Sequence, residues 1–154
     1  MDTREIAVRI GSRNCRIKSD DNYLDHIKGT FEPHMVDLFR TVAEGSKVIL
    51  DIGANIGCTA ILFGDMADQV HAFEPSPTTY RYLQDNVQAN GVDNVQLHNF
   101  GLGAEAANTT ITFAPNNRSG GFVSNQTKAK ADHLNDQIEI RTLDQVVDSM
   151  ALAA

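Results

Sequence analysis

Two places in the chain combine residue types with a spacing that can hold a ligand: the run Asp51-Ile52-Gly53-Ala54-Asn55-Ile56-Gly57 and the acid Glu74 about 20 residues later. Gly53 and Gly57 let the backbone turn tightly with no Cβ in the way, and Asn55 is the residue after glycine that best tolerates a left-handed conformation. A helix starting near Gly57 points its free N–H groups at the same spot. In nucleoside sites of this layout, a carboxylate at the Glu74 offset accepts hydrogen bonds from ribose hydroxyls. Pro75 fixes φ and stops the strand there, which keeps the carboxylate at the rim.

The elements needed to position these residues are visible in the hydrophobic pattern. VILDIG (48–53) is a short apolar run rich in β-branched residues, as expected of a parallel strand covered on both faces near the centre of a sheet. QVHAFEP (69–75) and NVQLHNF (94–100) read as two more strands, with helices GCTAILFGDMA after the first and PTTYRYLQDNVQANG (77–91) after the second. Tyr80, Leu83 and Val87 share a face of the latter helix, and Gly91 caps it. Strands and helices in this order make a βαβαβ unit with right-handed crossovers, so the fold class is α/β with a Rossmann-like parallel sheet.

Flanking segments add to this unit. Residues 5–18 alternate apolar and polar around Gly11-Ser12-Arg13-Asn14, the pattern of an N-terminal β-hairpin. Met35, Leu38, Phe39 and Val42 fall on one face of a helix that Gly45 ends. TTITFA (109–114) and QIEIRT (137–142) read as extra C-terminal strands, forming a hairpin or an edge addition, with a polar loop between them. LDQVVDSMALAA reads as a short amphipathic helix with Leu143, Val146, Val147 and Met150 on one side. Residues 1–30 thus form a hairpin and lead-in, and residues 31–154 a cofactor-binding domain.

Composition narrows the function classes. With 42% hydrophobic and 21% charged residues the chain has the make-up of an ordinary globular protein. A net charge of −7 opposes binding along a nucleic acid, which depends on clustered Lys and Arg. The two cysteines, Cys15 and Cys58, have no metal-ligand spacing and read as reduced thiols, so no metal is expected. The N-terminus carries charges where a signal peptide needs an apolar run, and no window approaches the roughly 20 apolar residues of a membrane span. The expected location is the cytoplasm, with no membrane partner.

The glycine spacing separates two candidate cofactors. A dinucleotide fingerprint needs G-x-G-x-x-G, whereas Asn55 stands at the middle glycine and Cys58-Thr59-Ala60 offers no third. S-adenosyl-L-methionine (SAM) has no phosphate but carries an ammonium that Asp51 can meet directly or through water. SAM is the expected cofactor, and an NAD-dependent oxidoreductase is the disfavoured alternative. Of the five histidines, His26, His34, His71, His98 and His133, none is favoured as a catalytic base, and no catalytic residue is assigned. Cys58 in a first helical turn is a candidate for a lowered pKa, with simple packing preferred. Arg118, beside Asn116 and Asn117, reads as part of a solvated loop.

At these positions the chain resembles the FkbM family of SAM-dependent class I methyltransferases, from about Phe31 to about Val147. The shared stretches are Phe31-Glu32-Pro33, VILDIGANIG (48–57), HAFEPSP (71–77), Asn86-Val87 leading to Asn90-Gly91, NVQLHNFGLG (94–103), Ser119-Gly120-Gly121 and IRTLDQVV (140–147). The resemblance implies cofactor contacts from Asp51, Gly53, Ala54, Asn55 and Gly57, ribose binding by Glu74 with Pro75 beside it, and adenine packing near Ser76, Asn99 and Phe100. It also implies that Glu32 approaches the methionine end of the cofactor. The implied activity is O-methylation of a small hydroxylated molecule or sugar, with that small-molecule acceptor as partner.

The resemblance further leads one to expect a K-x-D-x-E-G strand after TLDQVV, as the fourth core strand beside the first. It does not follow here, so the chain reads as truncated before that strand, with VILDIG left as an apolar edge. That leaves two alternatives to an active enzyme: a non-catalytic module binding SAM or S-adenosylhomocysteine (SAH), or a fragment completed by a homo-oligomeric or other partner chain on the exposed edge.

Overall fold

The computed structural model describes residues 2–123, 132–147 and 150. The chain begins with the expected hairpin, β1 (Arg4–Ile10) paired antiparallel to β2 (Arg13–Ser19). Val8 and Ile10 of β1 and Cys15 and Ile17 of β2 are buried on one face, so the hairpin contributes directly to the core. A short helix α1 (Tyr23–His26) and a two-residue strand β3 (Gly29–Thr30), parallel to β1, lead into α2 (Pro33–Ala43).

The Rossmann-like half follows as β4 (Ser46–Ile52), α3 (Cys58–Gly64), β5 (Ala67–Phe73), α4 (Pro77–Ala89) and β6 (Val95–His98). Its three strands pair in parallel in the order β4-β5-β6. One sheet face, carrying Ile49, Val70, Ala72, Val95 and Leu97, packs into a core with Ile61 of α3, Leu83 of α4 and the hairpin. The helices therefore lie between two sheets, with α4 against β2 and α3 against β1.

The C-terminal additions are β7 (Gly101–Leu102), β8 (Ala107–Ala114), β9 (Asn117–Phe122) and β10 (Leu134–Arg141), paired in the order β7-β10-β8-β9. Helix α5 (Leu143–Val147) then returns to the other face of the parallel sheet. There Val146 and Met150 form a second, smaller core with Phe73 and Phe100, while Leu143 is exposed. Of the expected amphipathic helix, residues 148–149 and 151–154 lie outside the described residues.

Three expectations need correction. The central strand of the parallel sheet is β5, not β4 as its composition suggests; VILDIG lies at the edge, as the absence of a fourth strand after TLDQVV leads one to expect, and Ile52 is 60% exposed. The segment after Ala114 is not all loop, because Asn117–Phe122 pairs with β8; residues 124–131 of that loop lie outside the described residues. Helix α2 forms where the pattern places it, but Met35, Leu38 and Val42 of its apolar stripe are exposed. Its docked side is instead Val36 and Phe39, whose ring meets Phe63 edge-on at 5.0 Å. A 3.6-residue period identifies a stripe, but not which part of it finds a neighbour.

Asn86 of α4 joins the hairpin to the parallel layer. Fully buried, its Nδ2 donates to the Ile56 and Lys18 carbonyls at 2.9 and 3.0 Å, and its Oδ1 accepts the Lys18 N–H at 2.8 Å. Removing the amide leaves the buried Ile56 carbonyl and the half-buried Lys18 N–H and carbonyl without this partner, the buried group alone costing about 1–3 kcal/mol before any relaxation. We expect Asn86→Ala to lower unfolding free energy by at least about 2 kcal/mol in urea titration. A loss under 0.5 kcal/mol would show that the hairpin docks through apolar contact alone.

Candidate cofactor site

At the end of β4 the chain turns through residues that need positive φ: Gly53 (83°), Asn55 (50°) and Gly57 (99°). At Gly57 the left-handed φ disfavours any other residue, and a Cβ would also lie 2.9 Å from Leu83 Cδ1, which would have to shift. The N–H groups of Gly53 and Ala54 both donate to the Phe73 carbonyl, at 3.0 and 2.9 Å. The loop is thereby folded over the end of β5.

Glu74 completes that attachment. Only 7% exposed, its Oε2 accepts the Asn55 N–H at 3.1 Å and its Oε1 the Ser76 N–H at 2.9 Å. Burial raises its carboxyl above the usual range, and the two amides oppose that rise. A carboxylate has about four lone-pair sites, so each oxygen keeps capacity for one more donor, as two ribose hydroxyls would require. Asn99, from the end of β6, donates through Nδ2 to the carbonyls of Glu74 and Pro75.

Asp51 lies at the root of the loop, also 7% exposed. Its Oδ2 accepts the Thr59 hydroxyl at 2.7 Å. Burial pushes its carboxyl up to about 6, and the Thr59 hydrogen bond only partly offsets this. Thr59 was not singled out in the sequence; the available signal is its hydroxyl in the first turn of the helix after the glycine loop.

Two adjoining cavities open beside the loop. One of about 160 Å³ is lined by Gly53, Ala54, Asn55, Cys58 and Thr59, together with Tyr23 and Ser119. A second, of about 530 Å³, shares Tyr23 and Ser119 and extends to His26, Glu32 and Asn117. The structure thus gathers Asp51, Gly53, Ala54, Asn55, Gly57 and Glu74 around one loop, with Glu32 in the neighbouring cavity. Glu32 makes no side-chain cap to α2 despite its N-cap position.

The remaining sequence-selected residues are engaged by the protein. Ser76 caps α4, accepting the Thr79 N–H and donating to Asp136 of β10 at 2.5 Å. Phe100 is in the second core, with the Arg141 guanidinium 4.1 Å above its ring. Burial raises the Cys58 thiol, in keeping with packing rather than reactivity. Arg118 is not solvated: it forms a two-pronged pair with Asp20 at 2.8 and 2.7 Å and donates to Thr78.

His71 and His98 form a pair, Nδ1 to Nε2 at 3.0 Å, beside Phe73 on the sheet face of the second core. His71 Nε2 is buried with no hydrogen-bond partner among the described residues. One ring donates and the other accepts, according to the tautomers of the two imidazoles. Burial, then His71 and Arg141, hold His98 down to about 4, so the pair is neutral near pH 7. Among the described residues no cluster of three or more His, Cys, Asp or Glu could hold a metal, and no helix is long and apolar enough to cross a membrane.

The Asp51 shift carries a pH signature. Its folded-state pKa lies above the ordinary 3.8, so the folded state holds a proton that the unfolded state releases between about pH 4 and 6. Stability from this group therefore falls as pH rises through that window, by about 3 kcal/mol in all. We expect Asp51→Asn to match the parent near pH 4 and to exceed it by up to about 3 kcal/mol at pH 7. Urea unfolding at pH 4, 5, 6 and 7 checks this; a difference that does not change with pH would refute the assignment.

No family model matches the chain. It is 39% identical over 69 residues to "Methyltransferase 1" of Beauveria bassiana, a match covering 44% of this chain and 28% of that protein. It is 33% identical over 76 residues to the tRNA (guanine(37)-N(1))-methyltransferase Trm5b of Pyrococcus abyssi, covering 47% of this chain and 23% of that one. The solved structure of that enzyme aligns over 61% of this chain and 27% of its own, with 27% identity and a TM-score of 0.47. A methyltransferase FkbM from Methylobacillus flagellatus aligns over 66% of this chain and 23% of its own, with 17% identity and a TM-score of 0.41. The chain thus spans about a quarter of the length of these curated relatives.

Proposed function

We propose that this chain is the SAM-binding part of a methyltransferase of the FkbM type, with O-methylation of a small hydroxylated molecule as its reaction. The observation that carries the reading is the assembly of Asp51, the Gly53–Gly57 turn and Glu74 into one closed loop, tied by the Asn55 N–H to Glu74 bond. Relatives that bear the name methyltransferase at 39% and 33% identity support it.

The residues fit SAM on electrostatic grounds. Asp51 is a buried carboxylate whose hydrogen-bond donor is a neutral hydroxyl; burial raises its carboxyl, and a cation beside it would lower it again. The ammonium of an amino-acid ligand end supplies one. Glu74 presents acceptor capacity at the position for a ribose, and the glycine turn leaves no Cβ between backbone and ligand. When bound, SAM supplies an electrophilic methyl group on a sulfonium. The protein's part is to hold donor and acceptor in line at near-attack distance.

A second reading, RNA methylation, comes from the tRNA methyltransferase among the relatives. The net charge of −7 opposes it, since phosphate neutralisation needs clustered cations.

The test is calorimetric titration with SAH. We expect binding by the parent chain and a loss of at least tenfold in each of Asp51→Ala and Glu74→Ala. Because the ammonium needs an ionised Asp51, affinity should also rise with pH from 5 to 7. A folded parent chain that ignores SAH, or binds it unchanged in both variants, would overturn the proposal. Retained SAH binding without methyl transfer to any acceptor would favour the non-catalytic module.

A further inference from the structure

We propose that the 530 Å³ cavity beside the glycine loop is the acceptor subsite, and that it selects amine-bearing or neutral polyols against anionic ones, with Glu32 as the selecting group. This rests on the donor site described above, because it takes its meaning from lying next to that site. Tyr23 and Ser119 line both cavities, so a molecule in the larger one abuts whatever occupies the glycine-loop cavity. It is an open groove, with Asn22, His26, Glu32, Asn116, Asn117 and Ser119 exposed and Tyr23 half-buried, and its volume is enough for a small molecule.

The lining decides the chemistry. Among the described residues it holds one carboxylate (Glu32), one imidazole (His26), the hydroxyls of Tyr23 and Ser119, and side-chain amides such as Asn117, but no Lys or Arg. Amides and hydroxyls both donate and accept, as a ring of hydroxyl groups requires. A phosphate or carboxylate would face Glu32 with no Lys or Arg among the described lining residues to offset it, whereas an ammonium would pair with it. Tyr23 stays protonated, since burial and then the charges of Cys58 and Glu32 hold its phenol up, so it enters as a neutral donor at the junction.

The walls are held in place by the protein. Asp21, 2% exposed, accepts the Tyr23 N–H at 3.1 Å through Oδ1 and the Arg118 N–H at 3.0 Å through Oδ2, joining the α1 wall to the β9 wall. The Asn22 N–H donates to the Asn116 carbonyl at 3.1 Å, and the Arg118 pair with Asp20 holds β9 from behind. Glu32 itself sits at φ 27°, ψ 69°, strained for a residue with a Cβ, and is followed by Pro33. Strain retained in a cavity wall is a common mark of a working position.

The test uses glucosamine, glucose and glucose 6-phosphate as probes in ligand-observed NMR with SAH present, alongside a separate SAH titration. We expect glucosamine to bind several-fold more tightly than glucose, and glucose 6-phosphate not to bind. Glu32→Gln should erase the advantage of glucosamine over glucose. Glu32→Gly should do the same while raising Tm by about 2–4 °C, because glycine relieves the positive φ. Equal binding of glucose 6-phosphate, an undiminished glucosamine advantage in Glu32→Gln, or SAH binding with no binding of any probe would overturn the subsite. In that last case the donor site stands; absence of SAH binding would remove the donor reading itself.

Discussion

The carboxylate of Glu74 is the group on which the site's geometry depends. A buried carboxylate is tolerated only where hydrogen-bond donors replace its lost water, and here those donors are backbone amides from two different segments. One belongs to the turn after β4 and the other to the start of α4. Satisfying both forces the turn to close over the tip of β5, and that closure demands the positive φ values of Gly53, Asn55 and Gly57. It also sets Gly57 so close to Leu83 that a Cβ would push on the end of that side chain. The order β4-β5-β6 supports this, because it leaves β5 flanked on both sides and lets Asn99 hold the Glu74 carbonyl from β6.

The segments outside the βαβαβ unit then act as clamps on its upper rim. Asp136 of β10 accepts both Ser76 and Thr78 hydroxyls, fixing the first turn of α4 just beyond Glu74. Arg118 of β9 binds Asp20 after the hairpin and Thr78 of α4, so three separate elements meet at one guanidinium. Both side chains of this pair are largely buried, at 8% and 17% exposure. Desolvation offsets much of the Coulomb attraction in such a pair, and its clearest effect is to allow one arrangement of the partners. Here that arrangement is what gives the larger cavity two fixed walls.

The sequence revealed most where a local rule binds one residue to one conformation. The glycine turn, the strand stop at Pro75, the presence of the hairpin and the alternation of β1 and β2 were legible because each is decided within a few residues, though the hairpin turn is Gly11-Ser12 alone and Arg13-Asn14 already belong to β2. The strands and helices of the parallel unit were legible for the same reason. What could not be read depends on partners distant in the chain. The face of α2 that docks is chosen by Phe63, and β9 is a strand because β8 lies beside it, not because Asn117–Phe122 has a strand pattern. Arg118 looked like a loop residue because Asp20 is far away in the chain. The edge position of β4 was legible only through the resemblance and its unmatched fourth strand, because VILDIG itself has the composition of a covered strand.

Asp51 shows how folding and function compete at such a site. As an isolated structural element it is unfavourable: a carboxyl pushed to about 6 by burial, with a single hydroxyl in compensation, destabilises the fold at neutral pH. An asparagine would satisfy the same hydroxyl without the charge. The acid becomes favourable only when a cation arrives, because the low-dielectric surroundings that penalise the lone charge also strengthen a pair. A site built this way gains selectivity from its own instability, since a ligand lacking the ammonium leaves the charge uncompensated. Glu74 differs in having two amides already in place, so it contributes positioning and acceptor capacity rather than a charge in need of a partner. The division between one satisfied acid and one unsatisfied acid matches the two ends of the ligand proposed for the site, a neutral ribose at one and an ammonium at the other.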